Sequence, residues 1–469
     1  MKKYLTLVNK ENKIKKNYLK NIKFIETKLV DNTPCQLEEE TYQNYLSLKK
    51  ELSKNKIEIA LASTYRTIED QQIIWDEYKK KYGIEYVKKY VATPGTSEHH
   101  TGLAIDLSLK INGKYVWDND ELFAQEKIFK QIHKHLSKHL SKHGFILRYP
   151  KNKENVTDYS YEPWHIRYVG KIPAKIIMDN NWTLEEYLTK FSAILYVNKQ
   201  AGMTSFDVVN KISDIFGIKK VGHTGTLDPL AEGVLIVTLG KATKIAELLT
   251  AEDKEYIAGI LLGVETDTLD ITGKVTKSKP IDLSKNIEEV VNSFKKTYLQ
   301  EVPKYSAVKV KGKKLYEYAR ENKEVVLPKK QVTIKNIKLL SSDNDTFLIQ
   351  TTVTKGCYIR SLIRDIGLAL DTYATMTTLT RTKQGKIDIK NTNTLEEIEI
   401  GKATLHTIEE VLNLPAMEVD NTIAKKIKNG QKLLNTYNIQ DKVIFKNKEK
   451  EILGIYKVDK SNLRVWKNF

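Results

Sequence analysis

The sequence predicts a multidomain α+β protein, on three observations. The chain has 469 residues, which at roughly 100–200 residues per domain gives two to four domains. Its residues are 41% hydrophobic and 29% charged, with 22 Gly and 10 Pro, the composition of a folded chain rather than a disordered one. Runs with strand character alternate with runs of helical period, and there is no internal repeat or low-complexity tract.

The elements follow in order. Residues 1–30 are basic and weakly patterned. From about 36 to 55 a helical period runs through CQLEEETYQNYLSLKKELSK, which begins at Cys35, and IEIALAS (57–63) reads as a short buried strand. A second helical stretch follows Arg66, and a basic helix covers roughly 124–143. Strand character returns at FILRYP (145–150) and around WHIRYVG (164–170). TLEEYL (183–188) is a capped helix, opened by Thr183 with acidic residues in its first turn. AILYVNK (193–199) then begins a new strand, so the first boundary falls near 190. From 193 to about 400, strands such as YIAGILLGV (256–264) alternate with helices such as SFDVVNKISDIF (205–216). A last β-rich unit holds KVIFKN (442–447) and EILGIYKV (451–458). The resulting domains are 1–190, 193–414 and 415–469.

The formal net charge is +18. An excess of lysine fits a polyanionic partner, because lysines release condensed counterions when they meet phosphates. A lysine-rich background composition gives the same excess, so charge alone leaves nucleic acid open. The two cysteines, Cys35 and Cys357, are far apart and form neither a disulfide framework nor a cysteine zinc site. The start lacks the apolar core of a signal peptide, and no window approaches the roughly 18 apolar residues of a membrane helix. These readings give a reduced, cytoplasmic protein with no membrane association.

In the second half the informative string is VGHTGTLDPLAEGVLIVTLGKATK (221–244). Glycines flank a polar loop in which Asp228 precedes Pro229, and the proline biases Asp228 toward extended or turn geometry. Such a loop can project a carboxylate into a cleft. The string closely resembles the catalytic motif of the bacterial tRNA pseudouridine-55 synthases (the TruB type), in which the aspartate is the catalytic carboxylate. Further segments resemble that family in order. They are NKQAGMTSFDVV (198–209), with Gln200 where proline is usual, KEYIAGILLGVETDTLDITG (254–273), VPKYSAVKVKGKKLYEYAR (302–320), KGCYIRSLIRDIG (355–367) and LTRTKQGK (379–386), with Thr380 where a second arginine is common. The resemblance covers about 193–469 and implies a mixed α/β catalytic domain followed by an RNA-binding module of the PUA type.

The chemistry it implies is breakage of the N1–C1′ bond of a uridine, rotation of the base and rejoining through C5. That reaction needs no metal, redox cofactor or ATP. The carboxylate of Asp228 attacks the base or the sugar, or removes the C2′ proton; the sequence leaves all three open. Arg360 is its basic partner. The target uridine has to be flipped out of its loop and caught by stacking. The resemblance gives Tyr256 as the aromatic face, Leu379 as its packing partner and His223 as the filler of the vacated space. Lys199 joins the substrate-binding set in a structural rather than a chemical role. Lysines and arginines between 304 and 335, with Tyr305, Tyr316 and Tyr318 among them, fit phosphate contact and stacking on a tRNA TΨC arm.

The first half carries an unrelated constellation. SEHHTGLAIDLSL (97–109) supplies His99 and Asp106, and YEPWHIRYVG (161–170) supplies Glu162 and His165. Two histidines and a carboxylate are a catalytic zinc set that leaves a fourth position for water. Glu162, three residues before a ligand, can take that water's proton. His100 is an alternative ligand to His99. STYRTIEDQ (63–71) adds Arg66, suited to clamping a substrate carboxylate or an oxyanion. These motifs resemble the zinc D-alanyl-D-alanine carboxypeptidases and dipeptidases of the VanY kind over about 30–175, with Thr67 where a serine is common. Within them Gln71 and Ser97 are assigned to substrate binding. The implied cofactor is Zn2+ and the implied substrate a D-Ala-D-Ala-containing peptide; no obligatory protein partner is evident.

Three readings compete. Both halves are active in a bifunctional fusion, or only the synthase acts, or the protein is chiefly a cytoplasmic zinc D-Ala-D-Ala peptidase whose C-terminal half only binds RNA. Intact chemical residues in both halves favour the first.

Overall fold

The structure is a computed structural model that describes residues 2–111, 113–116, 136–282 and 284–469. It is α+β and divides into two compact units, 1–191 with 212–219, and 192–211 with 220–469. The basic helix expected at 124–143 lies mostly outside the described residues; 136–140 are helical and Ser141–His143 is a single tight turn. Among the described residues no helix is long and apolar enough to cross a membrane.

In the first unit the strands Ile59–Ser63, Ala104–Ile111, Glu162–Tyr168 and Phe145–Tyr149 lie side by side, with Lys114–Val116 paired to the second. All pairings are antiparallel. One face is apolar (Leu61, Leu107, Leu109, Phe145, Ile166) and forms a core with Tyr45, Leu48 and Leu52 of the helix Glu39–Lys54. The helical reading of 36–55 is corrected at its start. Pro34–Glu38 is a strand paired with Phe24–Lys28, and the helix begins where the Glu38 carboxylate caps it by accepting from the Thr41 N–H at 2.8 Å. The helix Ile68–Tyr82 opens with a capping box between Thr67 and Asp70, and Leu184–Lys190 with one between Thr183 and Glu186.

The second unit is built on a nine-stranded sheet. Its main path runs Thr297–Glu301, Lys329–Asp343, Thr346–Val353, Lys254–Leu262, Ala374–Gln384, Glu232–Gly240 and Ser192–Lys199. Val221–His223 adds to Glu232–Gly240, and Ile387–Asp388 to Ala374–Gln384. Among the described residues, the strand pairing of this sheet that runs parallel joins Glu232–Gly240 to Ala374–Gln384. Helix Ile359–Ala369 buries Ile359, Leu362, Ile363 and Ile366 along one stripe. The last residues form a separate five-stranded sheet, ordered Ala416–Glu418, Lys442–Lys446, Ile452–Asp459, Asn462–Asn468 and Leu433–Leu434. Its Ile444 and Ile455 share a core with Ile194, Val234 and Ile236 of the large sheet.

Candidate functional site

Asp228 sits in the loop that leaves Val221–His223 and enters Glu232–Gly240. Several elements fix that loop. Ser205 Oγ accepts from Leu227 N–H at 2.9 Å, and Gly202 N–H donates to Pro229 O at 2.8 Å. Arg381, 1% exposed, donates from Nη2 to Gly225 O at 3.1 Å and from Nε to Val234 O at 2.6 Å. Gln384 Nε2 donates to Thr224 Oγ1 at 2.7 Å.

The Asp228 carboxylate meets Arg360 in a fork, with Nε 2.9 Å from Oδ2 and Nη2 3.1 Å from Oδ1. Arg360 is the second residue of the helix Ile359–Ala369 and is 5% exposed. Its remaining donors go to Thr268 O at 2.9 Å and Tyr305 O at 3.0 Å. The Asp228 side chain is 32% exposed against 6% for Arg360. A solvent-accessible carboxylate therefore rests on a buried cation, whose Nη1 also faces Asp270 Oδ2 at 3.9 Å. Strand register sets the rest. Tyr256 pairs with Arg381 and Ala258 with Leu379, so Tyr256, Leu379 and Arg381 share a face, the face from which Arg381 reaches the Asp228 loop. Tyr256 and Leu379 are 7% and 6% exposed.

His223 ends the short strand, and burial together with the Arg381 charge holds its imidazole below the usual histidine range. Lys199 is fully buried and its ammonium donates to the carbonyls of Gln200 at 2.9 Å and Met203 at 2.6 Å, with Pro229 O at 3.4 Å. It ties the 200–203 turn to the Asp228 loop. The basic stretch after 304 forms a small hairpin, Lys309–Val310 with Lys313–Lys314, and the helix Leu315–Arg320. There Lys314 and Arg320 each lie 5.3 Å from the Tyr316 ring centre.

In the first unit the sheet register makes Asp106 and His165 direct cross-strand partners. His99, on the short turn Glu98–Thr101, completes the group, and one ligand atom from each of His99, Asp106 and His165 lies within 4.8 Å of the others. His99 Nε2 is 3.2 Å from Asp106 Oδ2, and His165 Nδ1 is 3.0 Å from Asp106 Oδ1. His99 Nε2 and Asp106 Oδ1 are buried without a hydrogen-bond partner. Burial, helped by the Arg66 charge, holds His99 down at about 4, so its ring offers a lone pair, whereas at His165 burial is outweighed by the Asp106 and Glu98 contacts, which raise it to about 9, so a metal bound there displaces a proton. Converging neutral nitrogen and carboxylate oxygen with orphaned buried atoms fit a divalent metal of the zinc type. His100 is excluded from this group: its Nε2 accepts from Gly95 N–H at 3.0 Å and its Nδ1 lies 2.8 Å from Arg66 O.

Glu162 Oε2 lies 3.6 Å from His165 Nδ1. Burial raises its carboxyl to about 7, against the pull of His165 and with the Asp106 charge adding to the rise. Arg66 Nη2 is 3.4 Å from Asp106 Oδ2, and its Nη1 donates to Gln71 Oε1 at 3.0 Å. Gln71 Nε2 in turn donates to Ala92 O at 2.8 Å, so Gln71 aims the arginine. Ser97 Oγ accepts from His99 N–H at 3.3 Å. These groups line a cavity of about 430 Å³ whose other walls include Tyr78, Tyr86, Tyr90, Tyr149 and Tyr159. Tyr78, Tyr82, Tyr86 and Tyr90 recur every four residues, but Gly83 divides them between the helices Ile68–Tyr82 and Ile84–Tyr90, and Tyr78, Tyr86 and Tyr90 are the ones that reach the cavity. Arg381, in LTRTKQGK, holds the Asp228 loop through Val234 O and Gly225 O, a role its spacing does not signal.

Comparison with known proteins gives two families. The family model described as "TruB family pseudouridylate synthase (N terminal domain)" matches residues 213–359, and "tRNA pseudouridylate synthase B C-terminal domain" matches 360–418. The VanY model, "D-alanyl-D-alanine carboxypeptidase", matches 34–171. The tRNA pseudouridine synthase B of Caldanaerobacter subterraneus subsp. tengcongensis is 45% identical over 254 residues, which cover 54% of this chain and 89% of that protein. Its counterpart in Bacillus subtilis is 44% identical over 254 residues, covering 51% of this chain and 82% of the relative. Among solved structures, a vancomycin resistance D,D-pentapeptidase in complex with Zn(II) is 30% identical, covering 40% of this chain and 99% of that one, with a TM-score of 0.32.

Proposed function

This chain belongs to the TruB family of tRNA pseudouridine synthases and carries an N-terminal VanY domain, and on that premise we propose that it isomerises the uridine at position 55, in the TΨC arm of tRNA, through the Asp228 carboxylate. The observation that carries this is the fork between a buried Arg360 and an accessible Asp228. A uridine flipped from the TΨC arm enters against Tyr256, with Leu379 packed beside it and His223 occupying the space it left. Arg360 keeps the Asp228 oxygens oriented toward the reacting ring while the bond to C1′ breaks and the C5 bond forms. Residues 193–414 form the catalytic domain and 415–469 the PUA-like RNA-binding module. A tRNA substrate puts the work in the cytoplasm. The test is pseudouridine formation in an unmodified tRNA transcript. Wild type is expected to modify position 55 with or without a chelator, and Asp228→Ala to form no product while still binding tRNA. Product from Asp228→Ala would remove the carboxylate from the chemistry.

A second activity is favoured by the convergence of His99, Asp106 and His165. Residues 1–190 act as a zinc D-alanyl-D-alanine carboxypeptidase or dipeptidase. Zinc held by these three residues would acidify a water and polarise the scissile carbonyl. Glu162 takes the proton and delivers it to the leaving amine, while Arg66, aimed by Gln71, binds the substrate carboxylate or the developing oxyanion, and Ser97 fixes the turn that presents His99. Release of D-Ala from a D-Ala-D-Ala peptide, lost on chelation and restored by zinc, is the expected result.

A further inference from the structure

The two histidines of the metal group present opposite ring nitrogens to it, and the remaining nitrogens define a further role. His99 Nδ1 lies 2.6 Å from the Thr64 carbonyl. That contact requires the proton on Nδ1 and leaves Nε2 bare toward Asp106. His165 is reversed. Its Nδ1 lies 3.0 Å from Asp106 Oδ1, so in the neutral ring the proton belongs on Nε2. That nitrogen is buried and makes no hydrogen bond. It faces Glu98 Oε2 at 3.7 Å, a buried oxygen that also makes none.

The other oxygen of Glu98 is occupied. Arg148 Nε donates to Oε1 at 2.8 Å, and Arg167 Nη1 lies 2.8 Å from the same oxygen as an ion pair without hydrogen-bond geometry; all three side chains are 0% exposed. Arg148 continues into Glu185, with Nη1 and Nη2 at 3.0 and 2.6 Å from its two oxygens. Arg167 Nη2 donates to Tyr4 O at 3.1 Å and Thr6 O at 3.0 Å. Burying such a chain of charges is costly unless geometry and further hydrogen bonds offset it. Here one Glu98 oxygen is left bare and aimed at a ring nitrogen that needs an acceptor.

We propose that Glu98 is a positioning residue of the metal site, whose Oε2 accepts the Nε2 proton of His165 and so locks the ring with Nδ1 turned to the metal. The inference rests on the zinc reading of this site. The 3.7 Å separation exceeds hydrogen-bond range, so the contact requires the ring to turn toward Glu98 when a metal takes Nδ1. Each histidine then has its own outer acceptor, a backbone carbonyl for His99 and a buried carboxylate for His165. Such partners fix ring orientation and raise ligand basicity.

The test has two arms. Nitrogen-15 histidine spectra of the zinc-loaded wild-type chain read the tautomers directly, and the expected result is Nδ1–H for His99 and Nε2–H for His165. This arm needs no variant, which matters because removing a charge from between two buried arginines threatens folding. In the second arm zinc affinity is measured by competition with a chromophoric chelator, and Glu98→Gln is expected to weaken it by about 10–100-fold while its metal-free unfolding remains cooperative. A proton on Nδ1 of zinc-loaded His165, or unchanged zinc affinity in folded Glu98→Gln, overturns the inference and leaves the zinc reading standing. A wild-type chain that takes up no zinc overturns the zinc reading, and the inference falls with it.

Discussion

Arg360 gives four donor contacts to the groups around it, two to Asp228 and one each to Thr268 O and Tyr305 O. A lysine keeps the charge but not the planar fork. Arg360→Lys is therefore expected to lower the single-turnover rate of pseudouridine formation by roughly 10²-fold through misplacement of Asp228, with tRNA affinity much less affected. Equal losses in rate and affinity would mean that Arg360 contacts RNA instead. Lys199 gives a prediction of another kind. Burial pulls its ammonium from the ordinary 10.5 down to about 8, against the attraction of Asp228. Between these values the unfolded chain holds a proton that the folded chain lacks, so stability rises with pH across the window. Below it the full cost of the buried charge is present. Denaturant unfolding of wild type relative to Lys199→Met should show a free-energy difference that grows in favour of wild type from pH 8 to 10.5; a flat difference would mean an unshifted lysine. Residue chemistry was the most legible level, because Asp228, Arg360, His99, Asp106 and His165 each stood inside a long motif. What the sequence hid was which partner each atom takes. Nothing in the spacing of Gln71 says that it aims Arg66, nor in Lys199 that its amine is spent on carbonyls.

At the scale of elements, the Asp228 loop depends on how Glu232–Gly240 meets Ala374–Gln384. The two touch through Glu232 and Gly233, opposite Thr380 and Arg381. A Cβ on Gly233 would stand 2.3 Å from Arg381 O, and the residue has φ +100, so both backbone strain and a backbone clash oppose a side chain there. Gly233→Ala is expected to destabilise the second unit by at least about 2 kcal/mol. At Gly222, on the neighbouring strand, the nearest atom to a Cβ is Thr238 Oγ1 at 3.5 Å, an ordinary contact. Gly222→Ala should change the denaturation midpoint little, and similar losses at both positions would refute the crowding argument. The long elements were readable from period alone: Ser205–Phe216 is the helix that SFDVVNKISDIF specifies. Pro34–Glu38 was not, since its five residues lead into a helical pattern and only the Glu38 cap separates them. Sheet order was also beyond the sequence. The parallel contact at Gly233 joins strands more than 130 residues apart, and no local pattern records a pairing at that separation.

For the whole molecule the two candidate chemistries make opposite demands. The Asp228 site has its cation supplied by Arg360, built into a helix, and its reaction transfers no group to water. The His99–Asp106–His165 site has three converging ligand atoms that need a cation from solution. The two also draw on separate residues: every group named at the Asp228 site belongs to the unit of 192–211 with 220–469, and every group named at the histidine site to the unit of 1–191 with 212–219. Independent knockouts are therefore expected. In one preparation, Glu162→Ala should abolish release of D-Ala from a D-Ala-D-Ala peptide and leave pseudouridine formation within about twofold of wild type. Asp228→Ala should do the reverse, and a chelator should reproduce the Glu162→Ala pattern. If chelation also removed pseudouridine formation, the metal would support the fold of the whole chain or the synthase reaction itself, and the separation of the two sites would fail. If Asp228→Ala slowed D-Ala release without loss of zinc, the sites would be coupled and their separation would fail; reciprocal shifts in tRNA and peptide affinity, measured on the wild-type chain, would then show whether that coupling lies in binding.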